Sequence, residues 1–167
     1  MNTKVLVLDI DGTLTNSQKD ITIKTKEAIH LIQEQGHIVM LASGRPTPGM
    51  TRYAKELELE KYGGYLISFN GGNIINCRTG EVVYQKTLPN YIIPGLFRFA
   101  KEKDCGICTY LGDHIIVGTR MDQYLELESR MNGMPWKEVK NFDKYIDFDV
   151  NKCLLTAEPV MAVKYES

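Results

Sequence analysis

Three short apolar runs, each closed by a small polar turn, alternate with two segments of helical spacing in the first half of the chain. Lys4 to Leu8 is rich in Val and Leu and stops at Asp9-Ile10-Asp11-Gly12-Thr13. His37 to Ala42 stops at Ser43-Gly44-Arg45-Pro46, and Tyr65 to Phe69 at Asn70-Gly71-Gly72. Continuous apolar runs of this length suit strands buried on both faces of a parallel sheet. Between them, Thr22 to Gln35 carries Ile23, Ala28, Ile29, Leu31 and Ile32 mostly on one side, with Thr22 as N-cap and Gly36 as stop. Pro48 to Leu59 is a second predicted helix, with Pro48 in its first turn.

Strand, helix, strand, helix, strand joined by short links is the signature of an α/β parallel sheet with crossover helices. The pattern changes after Gly72. Asn73–Asn76 and Glu81–Lys86 predict a hairpin about Arg78-Thr79-Gly80. Pro89 to Lys103 predicts a helix whose stripe is Ile92, Ile93, Leu96, Phe97 and Ala100. Ile107–Leu111 and His114–Thr119 predict an antiparallel pair turning at Gly112-Asp113, followed by a helix over Asp122–Met131. A strand is expected over Lys152–Thr156 and a helix start at Ala157-Glu158. The expected division is an α/β part over 1–84 and an α+β part over 85–167.

The 167 residues, 43% hydrophobic and 25% charged, fit one soluble domain, or one domain with a small insert, able to bury a core without staples. Twenty basic and 21 acidic side chains leave a net charge of −1, so charge offers no argument for nucleic acid or an anionic membrane. The first apolar run is too short for a signal peptide or membrane helix, which makes a cytoplasmic location and free thiols the expectation.

Ligands of open α/β sheets bind beyond the carboxyl ends of the strands, so the three turns should line one crevice. Asp9 and Asp11, one residue apart after a buried strand, would repel each other, and a divalent cation would offset that repulsion. Mg2+ suits such a site because it takes a few carboxylate oxygens and keeps water and phosphate as its other ligands. Asp9 can then act as nucleophile on phosphorus and Asp11 as acid and base, while Gly12 allows the sharp turn. Ser43 and the Gly44 backbone can hold a phosphoryl oxygen, and Arg45 can stabilise substrate charge. Asn70 and Gly71 can bond substrate. Each group also has a plainer role: Asp-x-Asp and Ser cap loops, and Asn-Gly is an ordinary turn pair.

Asp9-Ile10-Asp11-Gly12-Thr13-Leu14 resembles the first motif of the haloacid dehalogenase superfamily, and Ala42-Ser43-Gly44-Arg45-Pro46 its second. Phe69-Asn70-Gly71-Gly72 resembles the Asn-Gly-Ala turn of the Cof-type branch, mostly phosphatases of sugar phosphates and other small phosphoesters. The part after the third strand is similar to that branch's large cap, so the resemblance implies a Rossmann-like core carrying an inserted α+β cap. It implies a Mg2+-dependent phosphatase in which Asp9 is nucleophile and metal ligand. Asp11 is acid/base and binds the metal through its backbone carbonyl. Gly12, Thr13, Ser43 and Gly44 fall to the phosphoryl group, and Arg45, Asn70 and Gly71 to the substrate.

The family also uses a third-motif lysine after the cap and a Gly-Asp-x-x-Asn-Asp motif. Neither stands in these 167 residues: Lys152 and Lys164 fall within the cap-like part, and Gly112-Asp113 runs into His114-Ile115-Ile116. The expectation is a chain ending inside the cap, inactive by itself unless a second polypeptide completes the site, with Lys4–Leu8 as an exposed apolar edge prone to self-association. Phosphomutase chemistry and a non-catalytic binding fragment are the alternatives. Cys105-x-x-Cys108 lacks a second ligand pair at similar spacing, and Cys77 and Cys153 are isolated. His30, His37 and His114 are scattered, and Trp136 is expected in core packing.

Overall fold

The computed structural model describes residues 2–165, which divide into two compact units with the boundary between Lys86 and Thr87.

In the first unit β1 (Val5–Asp9), β2 (Ile38–Ala42) and β3 (Tyr65–Ser68) are parallel, with Asp9 opposite Ala42 and Ala42 opposite Ile67. β4 (Asn73–Asn76) and β5 (Val82–Gln85) form the expected hairpin and extend the sheet antiparallel, in the order β1-β2-β3-β4-β5. α1 (Ile23–Glu34) begins at Thr22, whose hydroxyl accepts the Thr25 N–H, a cap contributing about 1 kcal/mol. Gly36 takes the left-handed conformation just beyond its end.

Two expectations fail here. The β1 run is not buried on both faces; it is the exposed apolar edge also expected of it, at the end of the sheet with Val5 and Val7 each 52% exposed. Alternation explains this, because only one face of the sheet is covered by helices. Val39, Leu41 and Leu66 face Ile29, Met50, Tyr53, Leu57 and Leu59. The α1 stripe is also narrower than its spacing suggested. Ile29 and Gln33, one turn apart, are buried, whereas Ile23, Ala28 and Leu31 are exposed. Gln33 is tolerated inside because its Nε2 donates to the Leu57 carbonyl at 3.1 Å.

The second predicted helix is three pieces: a 3₁₀ turn over Thr47–Met50, α2 (Thr51–Glu56) and α3 (Leu59–Tyr62). Glu58 in the left-handed region breaks the run, which lets Leu57 and Leu59 both enter the core.

In the second unit a 3₁₀ turn over Asn90–Ile92 leads into α4 (Ile93–Glu102), which buries Ile93, Phe97 and Ala100. β6 (Gly106–Leu111) pairs antiparallel with β7 (His114–Val117), as expected. α5 (Gln123–Asn132) follows, capped by Asp122. The sequence reading missed β8 (Trp136–Glu138), parallel to β7, and α6 (Phe142–Tyr145). β9 (Cys153–Thr156) pairs with β6, giving the order β8-β7-β6-β9, and α7 (Pro159–Tyr165) ends the described chain. Trp136 is not core: it sits on the β8 edge, 46% exposed, while Phe142 fills the interior with Phe97, Ile107 and Ile116. Among the described residues no helix is long and apolar enough to cross a membrane.

Candidate active site

The β1–β2–β3 register brings the three expected turns to one edge of the first sheet. Backbone bonds then join the second and third turns. Ser43 N–H donates to Ile67 O (2.9 Å), Phe69 N–H to Arg45 O (3.0 Å) and Asn70 N–H to Ser43 O (3.1 Å). Below them the Thr47 and Ser68 hydroxyls are 2.7 Å apart, which ties the two turns again from underneath. Phe69, Asn70 and Gly71 all have positive φ (52°, 57° and 90°), a conformation costly for Phe and held by these bonds. The Asn70 side chain lies so close to Gly44 that a Cβ there would stand 2.4 Å from Asn70 Oδ1. Ser43 Oγ accepts the Arg45 N–H at 3.2 Å, and the hydroxyl proton is still available to a ligand oxygen.

In the first turn, Leu14 N–H donates to Asp9 O and Thr15 N–H to Ile10 O, closing a tight loop around Gly12 at φ +85°. Gly12 and Thr13 are exposed at its tip.

The two aspartates are in different environments. The exposed Asp9 carboxylate has no hydrogen-bond or ion-pair partner among the described residues. Asp11 is gripped: Arg45 donates from Nε to Oδ2 and from Nη2 to Oδ1, both at 2.8 Å, and Lys19 Nζ donates to Oδ1 at 2.8 Å. A bidentate guanidinium is the strongest common partner a carboxylate finds in a protein. The Arg45 bonds, helped by Lys19 and opposed by burial, hold the Asp11 carboxyl well below the usual carboxylate range.

One expectation changes in consequence. Arg45 does not stand free for substrate charge; it is 8% exposed and bound to Asp11. The Asp11 side-chain charge is balanced by two cations, and the donor expected of it toward a metal is its backbone carbonyl. The donors that suit Mg2+ are the Asp9 carboxylate and the Asp11 backbone carbonyl, hard oxygens that fit an ion keeping several waters. Among the described residues no group of three or more His, Cys, Asp or Glu side chains is placed to hold a metal.

The sequence of residues 6–166 matches the family described as haloacid dehalogenase-like hydrolase. The chain belongs to that family. A haloacid dehalogenase-like hydrolase from Bacteroides thetaiotaomicron superposes with a TM-score of 0.92 at 39% identity, over 99% of this chain and 62% of that one. YxeH of Bacillus subtilis is 38% identical over 99 residues, 59% of this chain and 37% of that protein. The B. subtilis 5-amino-6-(5-phospho-D-ribitylamino)uracil phosphatase YitU is 34% identical over 73 residues, 42% of this chain and 26% of that protein. The chain thus spans between a quarter and two thirds of the length of these relatives.

Sequence reasoning missed Lys19, Tyr53, Thr47 and Ser68 within this haloacid dehalogenase-like site. Tyr53 is 1% exposed, and both the Arg45 and Arg52 guanidinium groups stack on its ring, at 5.8 and 4.5 Å from the centroid. No motif spacing marks these residues; only folding brings Lys19 to Asp11, Tyr53 to Arg45 and Thr47 to Ser68.

Proposed function

We propose that the protein hydrolyses small phosphoesters, sugar phosphates in particular, through an aspartyl-phosphate intermediate and with Mg2+ dependence. The observation that carries this reading is the contrast between the carboxylates: an exposed, unpartnered Asp9 at the end of β1, and two residues on, an Asp11 anchored by Arg45 and Lys19. A nucleophile needs a free oxygen pair, and a proton-transfer group needs a fixed position.

Asp9 Oδ forms a bond to phosphorus while the ester P–O bond breaks, and the departing oxygen takes a proton that Asp11 must first gain from solvent, because Arg45 and Lys19 hold its carboxyl ionised in this arrangement. Water then attacks the phosphorus of the aspartyl phosphate, Asp11 takes the proton of that water, and inorganic phosphate leaves. The Ser43 hydroxyl donates to a phosphoryl oxygen, and Gly12, Thr13 and Gly44 leave room around it. Asn70 and Gly71 form the wall beside the ester group. Mg2+ on the Asp9 carboxylate and the Asp11 carbonyl would supply positive charge against the phosphoryl oxygens. The phosphorylated ribityl chain in the name of YitU supports a sugar-like ester as the substrate class.

Phosphate release from a panel of sugar phosphates and from p-nitrophenyl phosphate, with Mg2+ or EDTA, tests the reading against Asp9→Asn. With the third-motif lysine and the acidic motif supplied, Mg2+-dependent release that Asp9→Asn abolishes is the expected result. Release that survives Asp9→Asn overturns it.

A further inference from the structure

Lys19 is the residue that neither motif assigns and that the geometry places against the chemistry. Its backbone is left-handed, φ +64°, a conformation unusual for a residue with a Cβ that is not Asn or Asp. The turn that imposes it is bonded to itself. Asn16 N–H donates to Asp20 O and Lys19 N–H to Asn16 O, both at 3.0 Å. Asn16 Oδ1 accepts the N–H groups of Gln18 and Asp20, also at 3.0 Å. The Lys19 carbonyl is held from the other side by the Tyr53 hydroxyl at 3.3 Å and by Arg52 Nη2. The turn is therefore fixed at both ends, and the lysine side chain, 43% exposed, brings its Nζ to Asp11.

We propose that Lys19 is a positioning residue for Asp11, the third point of a clamp whose other two are Arg45 Nε and Nη2. Arg45 holds both carboxylate oxygens from one side. Lys19 adds a second donor at Oδ1 from a separate turn, so that the Asp11 side chain is anchored in one χ1 rotamer from two directions. Tyr53 couples the clamp to the core, because it bonds the Lys19 carbonyl and carries the Arg45 guanidinium on its ring. This role rests on Asp11 being the proton-transferring group of the proposed hydrolase. A conformation disfavoured at one position, held by surrounding bonds and directed at one carboxylate, is the pattern expected where strain serves positioning.

The test uses Lys19→Met, which keeps side-chain length and backbone, with Lys19→Arg as conservative rescue and Lys19→Gly as the fold control at positive φ. Three-bond NMR couplings from the Asp11 carboxyl carbon to its own backbone nitrogen and carbonyl carbon report χ1 without any turnover. Single-rotamer values in the unsubstituted chain, averaged values in Lys19→Met and restored values in Lys19→Arg are expected. The same couplings in Lys19→Met as in the unsubstituted chain overturn the proposal. Kinetics supply the second readout. A sugar phosphate needs a proton on its leaving oxygen and p-nitrophenolate does not. On kcat/KM, which reports phosphoryl transfer to Asp9 and not the later attack of water, Lys19→Met should therefore cost about tenfold or more with the former and leave the latter nearly unchanged. An equal loss on both substrates overturns the assignment to Lys19. Absence of Mg2+-dependent release from the unsubstituted chain overturns the hydrolase reading instead, and the couplings still decide whether Lys19 holds Asp11.

Discussion

Arg45 grips both carboxylate oxygens of Asp11 at 2.8 Å from 34 residues along the chain, while the carboxylate of Asp9, two residues from Asp11, has no partner among the described residues. Neighbours in sequence thus occupy opposite electrostatic situations. Substitution should expose the difference. Asp11→Asn removes the charge that balances a guanidinium only 7% exposed, and should lower stability by about 2 kcal/mol. Asp9→Asn should change stability by no more than about 0.5 kcal/mol. Urea unfolding of both variants at neutral pH, in EDTA, checks the pair.

Acid should act through the same contact. The Asp11 carboxyl is lowered in the folded state, first by the Arg45 bonds and then by Lys19. A group lowered on folding contributes stability that is complete above its unfolded pKa, about 3.9, and is lost as pH falls below it. The stability gap between the unsubstituted chain and Asp11→Asn should therefore be widest above about pH 5 and narrow progressively toward pH 3. Urea midpoints across that range, again in EDTA, measure it; a constant gap would show that Asp11 is not held in this way.

Two glycines separate a functional close approach from a structural one. At Gly44 an added Cβ meets the far end of the Asn70 side chain, which can swing away. At Gly64 it would stand 2.6 Å from the Val39 carbonyl oxygen in β2, which cannot. Gly44→Ala should cost about 1 kcal/mol and displace Asn70, lowering phosphate release, whereas Gly64→Ala should cost about 2–3 kcal/mol by shifting backbone. Thermal denaturation together with a structure of Gly44→Ala distinguishes them.

The thiols should be inert in the folded protein. Burial pushes Cys77 up to about 11, with Glu60 adding to it, and Cys153 up to about 12, while Cys105 and Cys108 are buried and also raised. The thiolate is the reactive form, so all four should resist iodoacetamide at pH 8 until the chain is unfolded. Mass spectrometry before and after addition of urea reads this directly.

Local signals carried much of the fold. Thr22 and Gly36 bound α1 because a hydroxyl cap and a left-handed stop act within one turn of chain. The Asp9, Ser43 and Asn70 turns were legible because each directly follows a strand. The split at Glu58 was not, since the spacing of Pro48–Leu59 is continuous and only core packing of Leu57 and Leu59 forces the break. β8 was hidden because three residues of Trp-Lys-Glu make a strand only when β7 is there to pair with them.

The sequence by itself determined the order of the strands in the first unit, the family and the carboxylates at the end of β1, because apolar period and turn chemistry are local. Tertiary structure decided which faces are buried, which aspartate's carboxylate is free, and that Arg45 and Lys19 converge on Asp11 with Tyr53 behind them. Those are contacts between residues far apart in sequence. They exist only once the parallel register of β1 and β2 has set Asp9 opposite Ala42, and with it the loop of Asp11 beside that of Arg45.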